Sequence, residues 1–139
     1  MTVFVDIDKL SDAEFVTRFE NHDLNPGCFN HKNHLRLAWL YLAEHDVETA
    51  TEKVCTGIKS FAESVGAHTK FHLTITDALV RMMFNRINQM EPAEFEDFLN
   101  ENGDLLEDAV SVLQQHFSKD LLFSETARTT LVQPDIRPI

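Results

Sequence analysis

In the stretch LYLAEHDVETATEKV, residues 40–54, one helical period ends and another begins with only His45 and Asp46 between them. Asp46 is a helix-capping residue, and Ala50, Val54, Ile58, Phe61 and Val65 then recur at helical spacing until Gly66 supplies a stop signal. Upstream, Asn30 can cap a helix whose inward stripe runs His31, His34 or Leu35, Ala38 and Leu42, with Trp39 and Tyr41 beside it. Two amphipathic helices joined this tightly must fold back on each other, because neither can bury its apolar stripe alone. Antiparallel helical packing is therefore the starting constraint.

The rest of the chain reads in the same way. Ser11 with Glu14 three residues on forms a capping box, and Phe15, Val16 and Phe19 continue it, so a first helix is expected from about Ser11 to His22. Pro26 and Gly27 break it. KFHLTIT alternates like a strand but runs without a turn signal into DALVRMMFNRINQM, where Leu79, Met83 and Ile87 keep helical period. A fourth helix is expected from about Lys70 to Gln89, with an inward stripe that begins at His72 and passes through Thr76. Pro92 suits the first turn of a short helix in PAEFEDFLNENG. DLLEDAVSVLQQHF reads as one further helix with Leu105, Ala109, Val112 and His116 on a face, and Ser118 and Ser124 cap two short ones. Pro134 and Pro138 keep the final VQPDIRPI extended. The expected fold is all-α: one domain over residues 1–139, a bundle of four main antiparallel helices with short C-terminal helices and an extended C-terminal strap.

Composition supports that reading and excludes several functions. Apolar residues make up 43% of the 139 residues, and glycine and proline number only 4 each, far from a disordered or repetitive chain. The formal net charge of −11 repels phosphate backbones and anionic lipid, so neither nucleic acid nor membrane is an expected partner. The segment MTVFVDIDKLSDAEF lacks the pattern of a secretory leader, and no apolar run approaches the ~20 residues that cross a bilayer. A cytoplasmic protein with Cys28 and Cys55 as reduced thiols is expected, Cys28 in a packing role.

In an up-and-down bundle, the end of the first helix, the start of the second, the end of the third and the start of the fourth share one pole. His22, His31, His34, His68 and His72 fall there, whereas His45 and His116 do not. His31 and His34 lie three apart on one helix, so their Cβ atoms stand about 5 to 6 Å apart and two imidazoles can address one ion. His72 adds a third ligand from another helix, a recurrent construction in helical bundles. His22 and His68 sit at a helix end and in a loop, where solvated polar residues are the rule.

Three histidines without cysteine suit a divalent transition metal, zinc or iron first, and leave a coordination position open for chemistry. Helix N-termini keep such rings neutral but disfavour the cation itself. A carboxylate is therefore expected to complete the site, and Glu20, Asp23, Glu63 and Asp77 are the acids at that pole. With one acid and two histidines the set would match non-haem iron centres, the spare histidine serving as base. Thr74 and Thr76 read as capping or back-bonding hydroxyls, Thr76 within reach of the His72 ring.

The pieces FNHKNHLRLA (29–38), FHLTIT (71–76), SETAR (124–128) and PDIRP (134–138) together resemble an uncharacterised family of small, all-helical bacterial proteins, whose pattern is HxxHLxxA, aromatic-HxTxT, SxxAR and PDxxP. The resemblance covers most of the chain from the second helix onward. It points to His31, His34, His72, Thr74, Thr76 and Arg128. This chain departs from the pattern at Leu73, where family members carry Glu, and so lacks that acid as ligand or base. Arg128 is expected to pin the strap through Asp135, or else to clamp a substrate carboxylate.

The expected function is a metal-dependent protein acting on a small molecule through His31, His34 and His72, with Thr74, Thr76, Arg128, Glu63, Asp77 and His22 around the site. The alternatives are a binding protein that recognises an anionic or aromatic small molecule without metal, or a helical module that docks a partner.

Overall fold

The first three helices each start where a short polar side chain takes up an unmet backbone N–H. In the computed structural model, which describes residues 6–91 and 93–139, Ser11 caps α1 (Asp12–Glu20), Asn30 caps α2 (His31–Glu44) and Asp46 caps α3 (Val47–Ser64). Their side-chain oxygens accept the N–H groups of Glu14, Asn33 and Thr49 at 3.2, 3.1 and 2.7 Å. Gly66, with φ of +72°, closes α3 in the left-handed conformation that suits glycine. Short 3₁₀ turns lie at Ile7–Lys9 and His68–Lys70. Beyond α4 (Leu73–Ile87) come α5 (Phe95–Glu101), α6 (Gly103–Glu107), α7 (Ala109–Leu113), α8 (Lys119–Leu122) and α9 (Glu125–Thr129). Among the described residues all regular structure is helical, and no helix is long and apolar enough to cross a membrane. The role read for Pro92 lies outside the described residues.

Two expectations need correction. The fourth helix does not start at Lys70: His72 is extended (φ −128°, ψ 107°) and stands as the N-cap of α4, its Nδ1 accepting the N–H of Ile75 at 3.1 Å. The helix expected from residue 104 to 117 is two, because the chain bends at Asp108 (φ −147°, ψ 42°) without any glycine or proline to announce it.

α3 packs against α1, α2 and α4, and α2 also meets α4. The link of His45 and Asp46 folds α3 back along α2, so that Lys53 lies over the Tyr41 ring at 5.9 Å. Arg81, late in α4, binds Glu48 at the start of α3 with two bonds of 2.7 and 3.0 Å, so α4 returns along α3 in its turn. α1 rests on this group: Arg36 of α2 donates to the carbonyls of Ile7 and Leu10 and to Asp12, while its guanidinium covers Phe15 at 4.4 Å. Phe19, Phe29 and Phe61 meet with ring centroids 5.0 to 5.9 Å apart. That cluster brings the end of α1, the approach to α2 and the end of α3 to one pole, as the short connections require.

The short C-terminal helices cover α4, and the strap that follows is fastened at three points. The buried Thr74 hydroxyl donates to Thr130 O and accepts from Val132 N. Asp135 takes the N–H of Ser118 at 2.6 Å, and His116 Nδ1 donates to the carbonyls of Arg137 and Pro138. Arg128 does not pin the strap through Asp135. It pairs with Glu125 and donates to the carbonyls of Thr69 and Phe71, tying α9 to the entry of α4.

Gly57 is required by packing. A Cβ there would stand 2.8 and 2.9 Å from the ring of Phe19, which is 1% exposed and wedged between Phe29 and Phe61, so it has nowhere to turn. Gly57→Ala should therefore destabilise by about 1 to 3 kcal/mol, overriding the ~1 kcal/mol that alanine gains in a helix. Gly103→Ala, where a Cβ meets nothing, should stay within about 0.5 kcal/mol of the wild type in the same urea unfolding measurements. Equal effects at the two positions would contradict this packing.

Candidate functional site

α2 and α4 both turn a face toward the gap they share with α3. From α2 come His31, His34, Leu35 and Ala38; from α3, Val54 and Ile58; from the approach to α4 and α4 itself, Lys70, Phe71, His72, Ile75, Thr76, Leu79, Val80 and Met83. The positions 72, 75, 76, 79, 80 and 83 share one helical face. Together these residues enclose a cavity of about 270 Å³ whose wall is mainly apolar. The three histidines singled out from the sequence thus line one cavity, although they are held there by different means.

His31 and His72 are anchored. The Nε2 of His31 lies 2.7 Å from Leu105 O, and the Nε2 of His72 lies 2.7 Å from Leu122 O. A carbonyl only accepts, so each ring carries its proton on Nε2 and donates it. Both carbonyls belong to short helices that end within a few residues, α6 and α8, where backbone oxygens lack a helical partner. His72 is fully used, because its Nδ1 accepts from Ile75. Among the described residues, the Nδ1 lone pair of His31 meets no partner.

His34 differs from both. Its ring packs on Phe29 at 4.5 Å, and among the described residues neither nitrogen meets a hydrogen-bond partner. No fully enclosed side-chain N or O among them is left unpaired, so these nitrogens keep some exposed surface, on a residue that lines the cavity. Burial, with the neighbouring His31 adding to it, lowers the His34 pKa from 6.5 to about 4. At neutral pH the cavity holds a neutral imidazole that can both donate and accept.

None of the four acids expected to complete the site lines this cavity. Asp77 is on another face of α4, bound to Arg81 at 2.8 Å and lining the hollow beneath the strap with Thr74. Glu63 is exposed on a separate groove with His68, Phe71 and Arg128. Asp23 pairs with Arg18, and Glu20 faces Tyr41, whose hydroxyl is pushed up to about 12 by burial first and by Glu20 second. Among the described residues no three or more His, Cys, Asp or Glu side chains stand together where they would hold a metal ion.

The remaining candidates resolve into local roles. The Thr76 hydroxyl lines the cavity but donates to the His72 carbonyl, not to its ring. His22 ends α1 with a left-handed φ of +56°, rare for a side chain larger than glycine, and is held by Ser60 at 3.0 Å and the edge of Phe61. Cys28 is exposed and so does not pack as expected, whereas Cys55 is buried with its thiol pushed up to about 12 by burial. Lys70 and Phe71 escaped the sequence reading because nothing local marks them as cavity residues. The helical spacing from His72 to Met83 carried the signal for the rest. Comparison with protein-family models, curated proteins and solved structures yields no significant match for the chain.

The depressed pKa of His34 has a measurable sign. In the unfolded chain this ring titrates near 6.5, in the folded protein near 4, so between those values the unfolded state binds the extra proton and stability falls as pH falls. From about pH 7 to about pH 5 the loss should be about 2 kcal/mol. His34→Phe, which keeps the contact with Phe29, should be free of that share of the loss when both proteins are unfolded in urea at the two pH values. An identical pH dependence in the variant would show that His34 is not buried as a neutral ring.

Proposed function

We propose that this protein binds a small, largely apolar or aromatic molecule in the cavity between α2, α3 and α4, and that His34 supplies the hydrogen bond that orients it. One observation carries this reading: an imidazole without a hydrogen-bond partner among the described residues lines a cavity walled by Leu35, Ile58, Phe71, Ile75, Val80 and Met83. Ligand sites commonly combine an apolar wall with a few unspent polar groups. Affinity would come from burying apolar surface, at roughly 25 cal/mol per Å², and orientation from the imidazole. A panel of small aromatic and aliphatic fragments screened by ligand-observed NMR should give hits that shift the His34 ring signals. Those hits should vanish in Ala38→Leu, which fills the cavity from α2. Hits that survive Ala38→Leu unchanged, or a complete absence of hits, would overturn the reading.

A second reading, a bound divalent transition metal, is favoured by the unpartnered nitrogens of His31 and His34 one turn apart on the same cavity wall. Zinc or iron held there would polarise a bound water or substrate oxygen. His72 could join only by giving up its bond to Leu122 O or to Ile75 N–H. Zinc added to tag-free, metal-stripped protein should then raise its melting temperature, and His34→Phe should abolish the rise. No thermal shift, with only trace metal in the purified protein, would remove the metal reading and leave the first intact.

A further inference from the structure

The polar atoms left unspent in the histidine cavity define what chemical head group it can receive. Leu105 O fixes the His31 proton on Nε2, so the Nδ1 of that ring offers a lone pair and nothing else. His34, neutral and without a partner among the described residues, offers one N–H and one lone pair. The two residues stand three apart on α2, with Cβ atoms about 5 to 6 Å apart, and line the same cavity. His72 has no capacity left, and the hydroxyl hydrogen of Thr76 is committed to His72 O. Among the described residues no carboxylate lines the cavity, and the Lys70 ammonium at its wall is exposed to water.

A carboxylate is a poor match, because it only accepts and would set its oxygens against the His31 lone pair. A hydrocarbon without a polar atom would leave the unspent nitrogens, the His31 Nδ1 and the His34 N–H among them, desolvated and unpaired, which costs about 1 to 3 kcal/mol for each. A hydroxyl group answers both demands at once: its hydrogen goes to the His31 Nδ1, and its oxygen accepts from His34. Aromatic and branched side chains, Phe71, Ile75, Leu79 and Met83 among them, provide the wall for the ring or short chain that carries it.

Resting on the cavity-binding reading above, we propose that the site is selective for a neutral hydroxylated molecule of phenol-like size, whose O–H bridges His31 and His34. The test is a set of four near-isosteric probes, phenol, anisole, toluene and benzoate, titrated by calorimetry or NMR at neutral pH. Phenol should bind at least about tenfold more tightly than toluene, corresponding to one net hydrogen bond of ordinary strength. Anisole can accept but not donate and should fall between them, and benzoate should bind worst. His34→Phe should narrow the preference for phenol over toluene to what the remaining O–H bond to the His31 Nδ1 supplies, while His34→Gln, which still donates and accepts, should keep more of it. Toluene binding as tightly as phenol would overturn the hydroxyl selectivity and leave the cavity reading standing, as would benzoate binding more tightly than phenol. Failure of all four probes to bind would remove both.

Discussion

Two imidazole-to-carbonyl bonds join the halves of this molecule. The C-terminal helices run four to seven residues each, too short to persist alone, since a helix gains little until well past its costly first turn. Their ends carry carbonyls that the helix itself cannot satisfy. His31, from the first turn of α2, donates to Leu105 O, and His72, from the cap of α4, donates to Leu122 O. Leaving either carbonyl unpaired in a part-buried setting would cost about 1 to 3 kcal/mol, a large share of what holds a domain of this size together. The roof over α4 therefore depends on two rings that lie 74 and 50 residues away in the chain.

The same bonds shape the cavity. By fixing the proton of each ring on Nε2, they exhaust His72 and leave His31 as an acceptor. Asp77, the acid of α4 that sequence position brings near, is drawn to Arg81 and away from the cavity, and Arg81 in turn ties α4 to Glu48 of α3. Charge is thus spent on holding helices together, while the cavity wall is apolar apart from its imidazoles, Thr76 and the exposed Lys70. In a chain with a net charge of −11, no carboxylate among the described residues lines this cavity.

Much of the fold was readable because it is local. Ser11, Asn30, Asp46, Ser118 and Ser124 all cap where their side chains and neighbours imply, and the two residues between α2 and α3 force a reversal. The break at Asp108 left no local trace: the helical period runs straight through it, and beside it the Leu105 carbonyl is taken by a distant histidine instead of by the next turn. His72 was placed at the right pole but in the wrong role, because a capping imidazole and the first residue of a stripe look alike in sequence; only the backbone at that residue separates them. The meeting of His31, His34 and His72 on one cavity followed from chain reversal. Which of their nitrogens stay unspent depended on Leu105, Leu122 and Ile75, and nothing in the order of residues announces those partners.

His34 is the residue that the fold does not account for. His31 and His72 each satisfy a backbone carbonyl that would otherwise be stranded, so a leucine at either position would lose something specific. At position 34 a leucine or phenylalanine would pack against Phe29 and face the same apolar wall, without the desolvation that holds the imidazole neutral down to about pH 4. A ring that lowers acid stability and takes no hydrogen bond from the described chain contributes nothing to folding that an apolar side chain would not contribute better. That imbalance is what supports the proposal that its two nitrogens serve a small, mostly apolar molecule able to meet a donor and an acceptor side by side.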